Sequence, residues 1–157
     1  MDVEDLQSGV IVPYHVLCDA KASDYRVMTV VRHPRLPDDE YGLIDAYCAG
    51  PDCDCRVAYL FVMRASQPTA EAAASISFGW EPQAFYDRWM GEGANSASAK
   101  TLKGPSLMLW GHQGRYAVEL LQLFRPQFQD PVYVARLRRR YRIFKRALRA
   151  LVDAADR

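Results

Sequence analysis

Tyr41-Gly42-Leu43-Ile44-Asp45-Ala46-Tyr47-Cys48, then Ala49-Gly50-Pro51-Asp52-Cys53-Asp54-Cys55, then Arg56-Val57-Ala58-Tyr59-Leu60-Phe61-Val62-Met63-Arg64, is the stretch on which the fold turns. Its two flanks are rich in β-branched and aromatic residues, which suit a pleated, half-buried surface. Ala49-Gly50-Pro51-Asp52 between them is a tight-turn signal, so residues 41–48 and 56–64 read as the two arms of a hairpin.

Further strands extend from this hairpin on both sides. Residues 10–17 have strand composition, with Pro13 restricting them to an edge position or a bulge. Residues 25–32 carry Val27, Val30 and Val31 and stop at His33-Pro34-Arg35-Leu36-Pro37. After the Gln67-Pro68 break, residues 74–80 supply a fifth strand. Every connection is short, so an antiparallel meander of four to five strands is the economical topology for residues 8–80.

Residues 81–157 read as helical. Residues 82–90 predict a short helix with Pro82 at its first turn, and the Gly-, Ser- and Ala-rich stretch 91–103 predicts a flexible loop. Residues 114–124 place Ala117, Leu120, Leu121 and Phe124 at helical spacing before Pro126. Asp130-Pro131 is a helix start, with Asp as N-cap and Pro at the first helical position. Beyond it Val134, Leu137, Tyr141, Phe144, Leu148 and Leu151 form an apolar seam. The expected fold is α+β in one domain over 1–157: an antiparallel meander sheet followed by a C-terminal helical hairpin.

The chain has 157 residues, half of them hydrophobic and a quarter charged, the profile of a globular domain rather than a disordered or collagen-like chain. Its longest apolar run, 57–63, is too short to cross a bilayer, and Met1-Asp2-Val3-Glu4-Asp5 is acidic where a leader would be basic. A cytoplasmic protein with no membrane partner is expected. The net charge of +1 conceals a strong asymmetry. Residues 1–60 carry eleven acids against five bases, about −6, whereas residues 131–157 carry nine bases against two acids, about +7.

Three of the four cysteines, Cys48, Cys53 and Cys55, fall around the hairpin turn as C-x4-C-x-C. Thiolates are soft ligands suited to zinc, and a turn between two strands brings such ligands towards one point. A structural zinc site has four ligands. In an up-down meander the ends of the first and third strands share an edge, which makes Cys18 the expected fourth, with His15 next. His33 lies at the opposite edge, and His112 has no assigned place. The alternatives are free thiols or a disulfide. Thioredoxin-like redox chemistry lacks its C-x-x-C spacing, and a catalytic zinc lacks an evident histidine.

Tyr47-Cys48-Ala49-Gly50-Pro51-Asp52-Cys53-Asp54-Cys55-Arg56-Val57 resembles a Y-C-x4-C-D-C-R motif of an uncharacterised family of bacterial proteins of similar size. The likeness continues in Ile76-Ser77-Phe78-Gly79-Trp80-Glu81, in Phe85-Tyr86-Asp87-Arg88-Trp89, and from Asp130-Pro131-Val132-Tyr133 to Arg140-Tyr141-Arg142-Ile143-Phe144-Lys145. It covers most of the chain from about residue 40. The family has no assigned activity, so the resemblance implies a stable domain and adds no function.

The helix beginning at Pro131 carries Arg136, Arg138, Arg139, Arg140, Arg142, Lys145, Arg146 and Arg149. Arg138, Arg142, Lys145 and Arg149 line one face, a stripe able to meet phosphates of a nucleic acid. The plainer alternative is that these heads pair with the acidic first half of the same chain. An enzyme built around His112 and the aromatic segment Trp80, Tyr86 and Trp89 is a third class, although Gly91-Glu92-Gly93 is no phosphate loop and no serine sits in a nucleophile elbow. The sequence favours a small zinc-stabilised, non-enzymatic domain acting through contacts with a protein partner or a second copy.

Overall fold

The computed structural model describes residues 10–91 and 96–157. Strand β1 (Ile11–Pro13) leads into a single helical turn, α1 (Tyr14–Leu17). A 3-10 turn (Ala22–Asp24) then precedes β2 (Val27–Val30), β3 (Asp39–Cys48), β4 (Val57–Arg64) and β5 (Ala74–Gly79). Helices α2 (Gln83–Met90) and α3 (Ala97–Lys103) come next, followed by a two-residue strand β6 (Ser106–Leu107). The chain ends with α4 (Ala117–Phe124), a 3-10 turn (Arg125–Gln129) and the long helix α5 (Pro131–Ala155). This is the expected α+β arrangement of an antiparallel sheet followed by C-terminal helices.

The hairpin is the centre of the sheet. β3 and β4 pair antiparallel from Tyr41 opposite Arg64 to Ala46 opposite Tyr59, and β5 and β6 continue the order beyond β4. The other edge of β3 differs from a simple meander. β2 pairs with its first half, Val27 opposite Gly42, and β1 with its second half, Ile11 opposite Cys48. Since both are antiparallel to β3, they run in the same direction, end to end, and do not pair with each other. Pro13 accounts for the early end of β1: it has no N–H to extend the ladder, and the chain coils into α1 instead.

Two cores follow from the strand alternation. Tyr41, Leu43 and Tyr47 of β3 share a face with Leu60 and Val62 of β4 and with Ile76 and Phe78 of β5. That face is covered by Leu120 and Phe124 of α4 and by Leu137, Phe144 and Leu148 of α5. Phe144 and Leu148 are fully buried, each contributing about 1.5–3 kcal/mol. On the other face Ala46, Val57 and Tyr59 meet Tyr86 of α2 with Ala99 and Leu102 of α3. Gly79 has to be glycine, because a Cβ there would collide with the Tyr86 hydroxyl.

Two local expectations are corrected. Part of the stretch read as a flexible loop is helix α3: the Ser96 side chain caps it by accepting from the Ala99 N–H, and Gly104 ends it at φ 53°. Residues 92–95 of that stretch lie outside the described residues. In α5 the buried seam passes at its end to Val152, while Leu151 is exposed. Asp130 caps the helix as expected, its carboxylate accepting from the Val132 N–H at 2.9 Å. Among the described residues no helix is long and apolar enough to cross a membrane.

Candidate metal centre

β3 delivers Cys48 at its last position, and the following turn folds the chain back so that Cys53 and Cys55 face it. The turn is closed by the Cys53 N–H donating to the Gly50 carbonyl at 3.1 Å. The Gly50 N–H points instead at the Cys48 sulfur, 3.4 Å away. Space is short at Gly50, where an added Cβ would stand 3.0 Å from the Cys53 Cβ and 3.5 Å from the Cys48 Sγ. The three Sγ atoms lie within 4.8 Å of one another. They can therefore hold a metal ion.

The thiols are electrostatically unequal. Cys55 is buried, and Cys48 and Cys53 are half-buried. The neighbouring Cys55 thiol, the Gly50 N–H and the Lys145 charge together hold the Cys48 thiol down to about 5. Cys53 is lowered as well, chiefly by the same Cys55 thiol. Cys55 is pushed up correspondingly, first by the neighbouring Cys48 and Cys53 and then by burial. Three sulfurs converge here, two of them biased towards the thiolate form. A soft cation at the same point would displace the remaining thiol protons and satisfy all three sulfurs.

Helix α5 grips the loop from the opposite side. Lys145 Nζ donates to the carbonyls of Cys48 at 2.7 Å and Gly50 at 2.9 Å. Arg149 reaches the Pro51 carbonyl at 2.9 Å and the Asp52 carboxylate at 3.2 Å. The Tyr141 hydroxyl donates to Asp54 at 3.0 Å and accepts from the Arg56 N–H at 3.3 Å. Asp54 also pairs with Arg56, so this carboxylate braces the loop. Arg56 takes a left-handed φ of 52° as the chain enters β4. Its carbonyl accepts from the Tyr86 hydroxyl at 2.8 Å.

Of the four cysteines expected to act together, the structure converges three and leaves Cys18 out. Cys18 follows α1, where its N–H bonds to the Tyr14 carbonyl at 3.0 Å. The physical reason is the strand pairing. Because β1 is antiparallel to β3 itself, its beginning and not its end lies beside Cys48, and the chain then runs away from the cluster. His15 packs edge-on to Tyr25, and the His33 Nδ1 accepts from the N–H groups of Arg35 and Leu36. His112 pairs with the Glu71 carboxylate at 2.8 Å and the Ala72 carbonyl at 2.7 Å. His112 and Trp80 line different clefts, so the pocket envisaged between His112 and the aromatic segment is not formed from them. Trp89 is exposed.

The basic stripe is divided in two. Lys145 and Arg149 are committed to the cysteine loop, whereas Arg138 and Arg142 stay exposed beside it. The pairing of basic heads with the acidic first half is realised at Arg149–Asp52 and Arg140–Asp45, while the grip of Lys145 and Tyr141 on the loop is an addition of the structure. The signal available for it was charge: a loop bearing Asp52, Asp54 and three thiols is a natural counterpart for a basic helix. No family model, no curated protein and no solved structure shows a significant match to this chain.

Proposed function

We propose that the protein is a small zinc-binding domain in which Cys48, Cys53 and Cys55 supply three of the ion's four ligands and the site serves architecture. The observation that carries the reading is the convergence of three sulfurs within 4.8 Å on one turn. Thiolate donors select zinc or copper(I) over the hard cations, and zinc is the usual choice for sites built on turns between strands. The contacts around the loop support a structural role. Lys145, Arg149 and Tyr141 address backbone carbonyls, a backbone N–H and side-chain carboxylates of the loop, fixing its shape against α5. An ion here would tie the β3–β4 connection to the sheet end in the way a staple does, stabilising a domain that acts by contact with other molecules.

The experiment is elemental analysis of protein purified without added metal, together with its thermal midpoint before and after chelation. The reading expects close to one zinc per chain and a lower midpoint after chelation. Less than about a tenth of an equivalent of any thiophilic metal, with reconstitution failing as well, refutes it.

A further inference from the structure

The bases of α5 separate sharply by use. Arg136 donates to the Asp24 carbonyl at 2.8 Å, Arg140 is buried against Asp45 at 2.6 Å, and Lys145 and Arg149 hold the cysteine loop. Arg138, Arg139, Arg142 and Arg146 are exposed and have no hydrogen-bond or ion-pair partner among the described residues, and of these Arg138, Arg142 and Arg146 share one side of the helix. These three stand at i, i+4 and i+8, so their Cα atoms step along one side of the helix by about 6 Å each. That step suits successive phosphates of an extended strand.

The same arginines edge a groove. A cleft of about 300 Å³ is lined by Arg138 and Arg142 with Trp80, Tyr141 and the ion pairs of Arg56 with Asp54 and Glu81. A shallower one of about 760 Å³ is lined by Arg142 and Arg146 with Cys53 and Asp54 of the loop. Asp54, Tyr141 and Arg142 line both, so the two clefts adjoin along these residues and form one basic surface channel with a common edge. Its carboxylates are already engaged, Asp54 and Glu81 by Arg56 and Tyr141 and Asp52 by Arg149, so the unspent charge is positive. Half-buried Trp80 sits in the channel beside Arg138. A flat lipid surface would reach the arginines but not Trp80, and a duplex keeps its bases stacked away from it. An unpaired base can enter.

We propose that this channel binds single-stranded nucleic acid, with phosphates on Arg138, Arg142 and Arg146 and a base against Trp80. The reading stands on the groove and not on the metal.

Anisotropy of a fluorescein-labelled mixed-sequence oligonucleotide of twelve nucleotides, titrated with the protein as purified, tests it. Three phosphate contacts on a single strand predict that log K falls with log salt at a slope of about −2. Arg138→Glu, Arg142→Glu and Arg146→Glu together should abolish binding, while Arg115→Glu, an exposed base outside the groove, should leave it unchanged. Trp80→Leu should weaken it about tenfold. Unchanged thermal midpoints of the arginine variants keep the result interpretable if Trp80→Leu fails to fold. Absence of binding at about 50 mM salt overturns the proposal. So does insensitivity to the triple reversal, or a preference for the matching duplex or for anionic vesicles.

Discussion

Lys145 Nζ donates to the carbonyl of Cys48 at 2.7 Å, joining the middle of the long helix to the first of the three clustered cysteines. The same ammonium bonds the Gly50 carbonyl, so one side chain replaces the solvent that two loop carbonyls would otherwise need. Hydrogen bonds to a charged donor contribute about 1.5–3 kcal/mol each, and groups around a metal site commonly change its affinity by about 10–100-fold. Lys145→Met should therefore lower both the unfolding free energy and the zinc affinity, with Lys145→Arg recovering part of each. Urea denaturation and competition against a chromophoric chelator measure the two effects; loss of stability with unchanged zinc affinity would separate the clamp from the metal.

Cysteine substitutions should divide three to one. Cys48→Ser, Cys53→Ser and Cys55→Ser each remove a sulfur from the cluster and should drop the bound metal well below stoichiometric. Cys18→Ser leaves the cluster intact and should retain full metal content. Cobalt(II) substitution gives a second readout, because thiolate-to-cobalt charge-transfer absorption should appear in the Cys18→Ser protein and weaken in the others.

Cys48 should be the thiol that reacts first in metal-stripped protein. The neighbouring Cys55 thiol, the Gly50 N–H and the Lys145 charge hold it down to about 5, while burial pushes Cys18 up. The thiolate is the nucleophile, so alkylation of Cys48 should rise as pH increases through about 5 and be near its plateau at neutral pH, where Cys18 is still protonated. Lys145→Met removes a positive charge and should move the Cys48 midpoint upward. Mass spectrometry after a brief iodoacetamide pulse across pH 4–9 resolves the sites, and zinc should protect Cys48.

How far the sequence disclosed this molecule depended on whether each signal was local. The β3–β4 hairpin and the start of α5 were legible because Gly50-Pro51 and Asp130-Pro131 act within a few residues. Helix α3 was written just as locally, with Ser96 before it and Gly104 after it, yet its small residues read as a loop; alanine is in fact the best helix former. The three-cysteine cluster needed only the turn. Cys18 needed the pairing of β1, a contact between Ile11 and Cys48 that no periodicity in residues 10–17 encodes. Charge alone indicated that the basic helix could meet the acidic first half, but not which residues: Arg140 finds Asp45 across 95 positions and Lys145 finds Cys48 across 97.

Arg140 and Asp45 form an ion pair at 2.6 Å with both side chains almost sealed from solvent. The guanidinium lies over the Tyr14 ring at 4.4 Å, and the second Asp45 oxygen accepts from the Tyr47 hydroxyl at 2.8 Å. Breaking such a pair from one side strands a buried charge, whereas replacing both partners by apolar residues removes the desolvation cost as well. Arg140→Met alone should destabilise the fold by about 3–5 kcal/mol. Adding Asp45→Leu should restore a large part of that loss, since the Tyr47 hydroxyl keeps the Leu137 carbonyl as a second acceptor at 3.2 Å, giving a strongly non-additive cycle in urea denaturation. A double variant no more stable than Arg140→Met alone would mean that the pair stabilises the domain by more than its desolvation costs, and that the contact between α5 and β3 depends on charge as much as on the apolar seam.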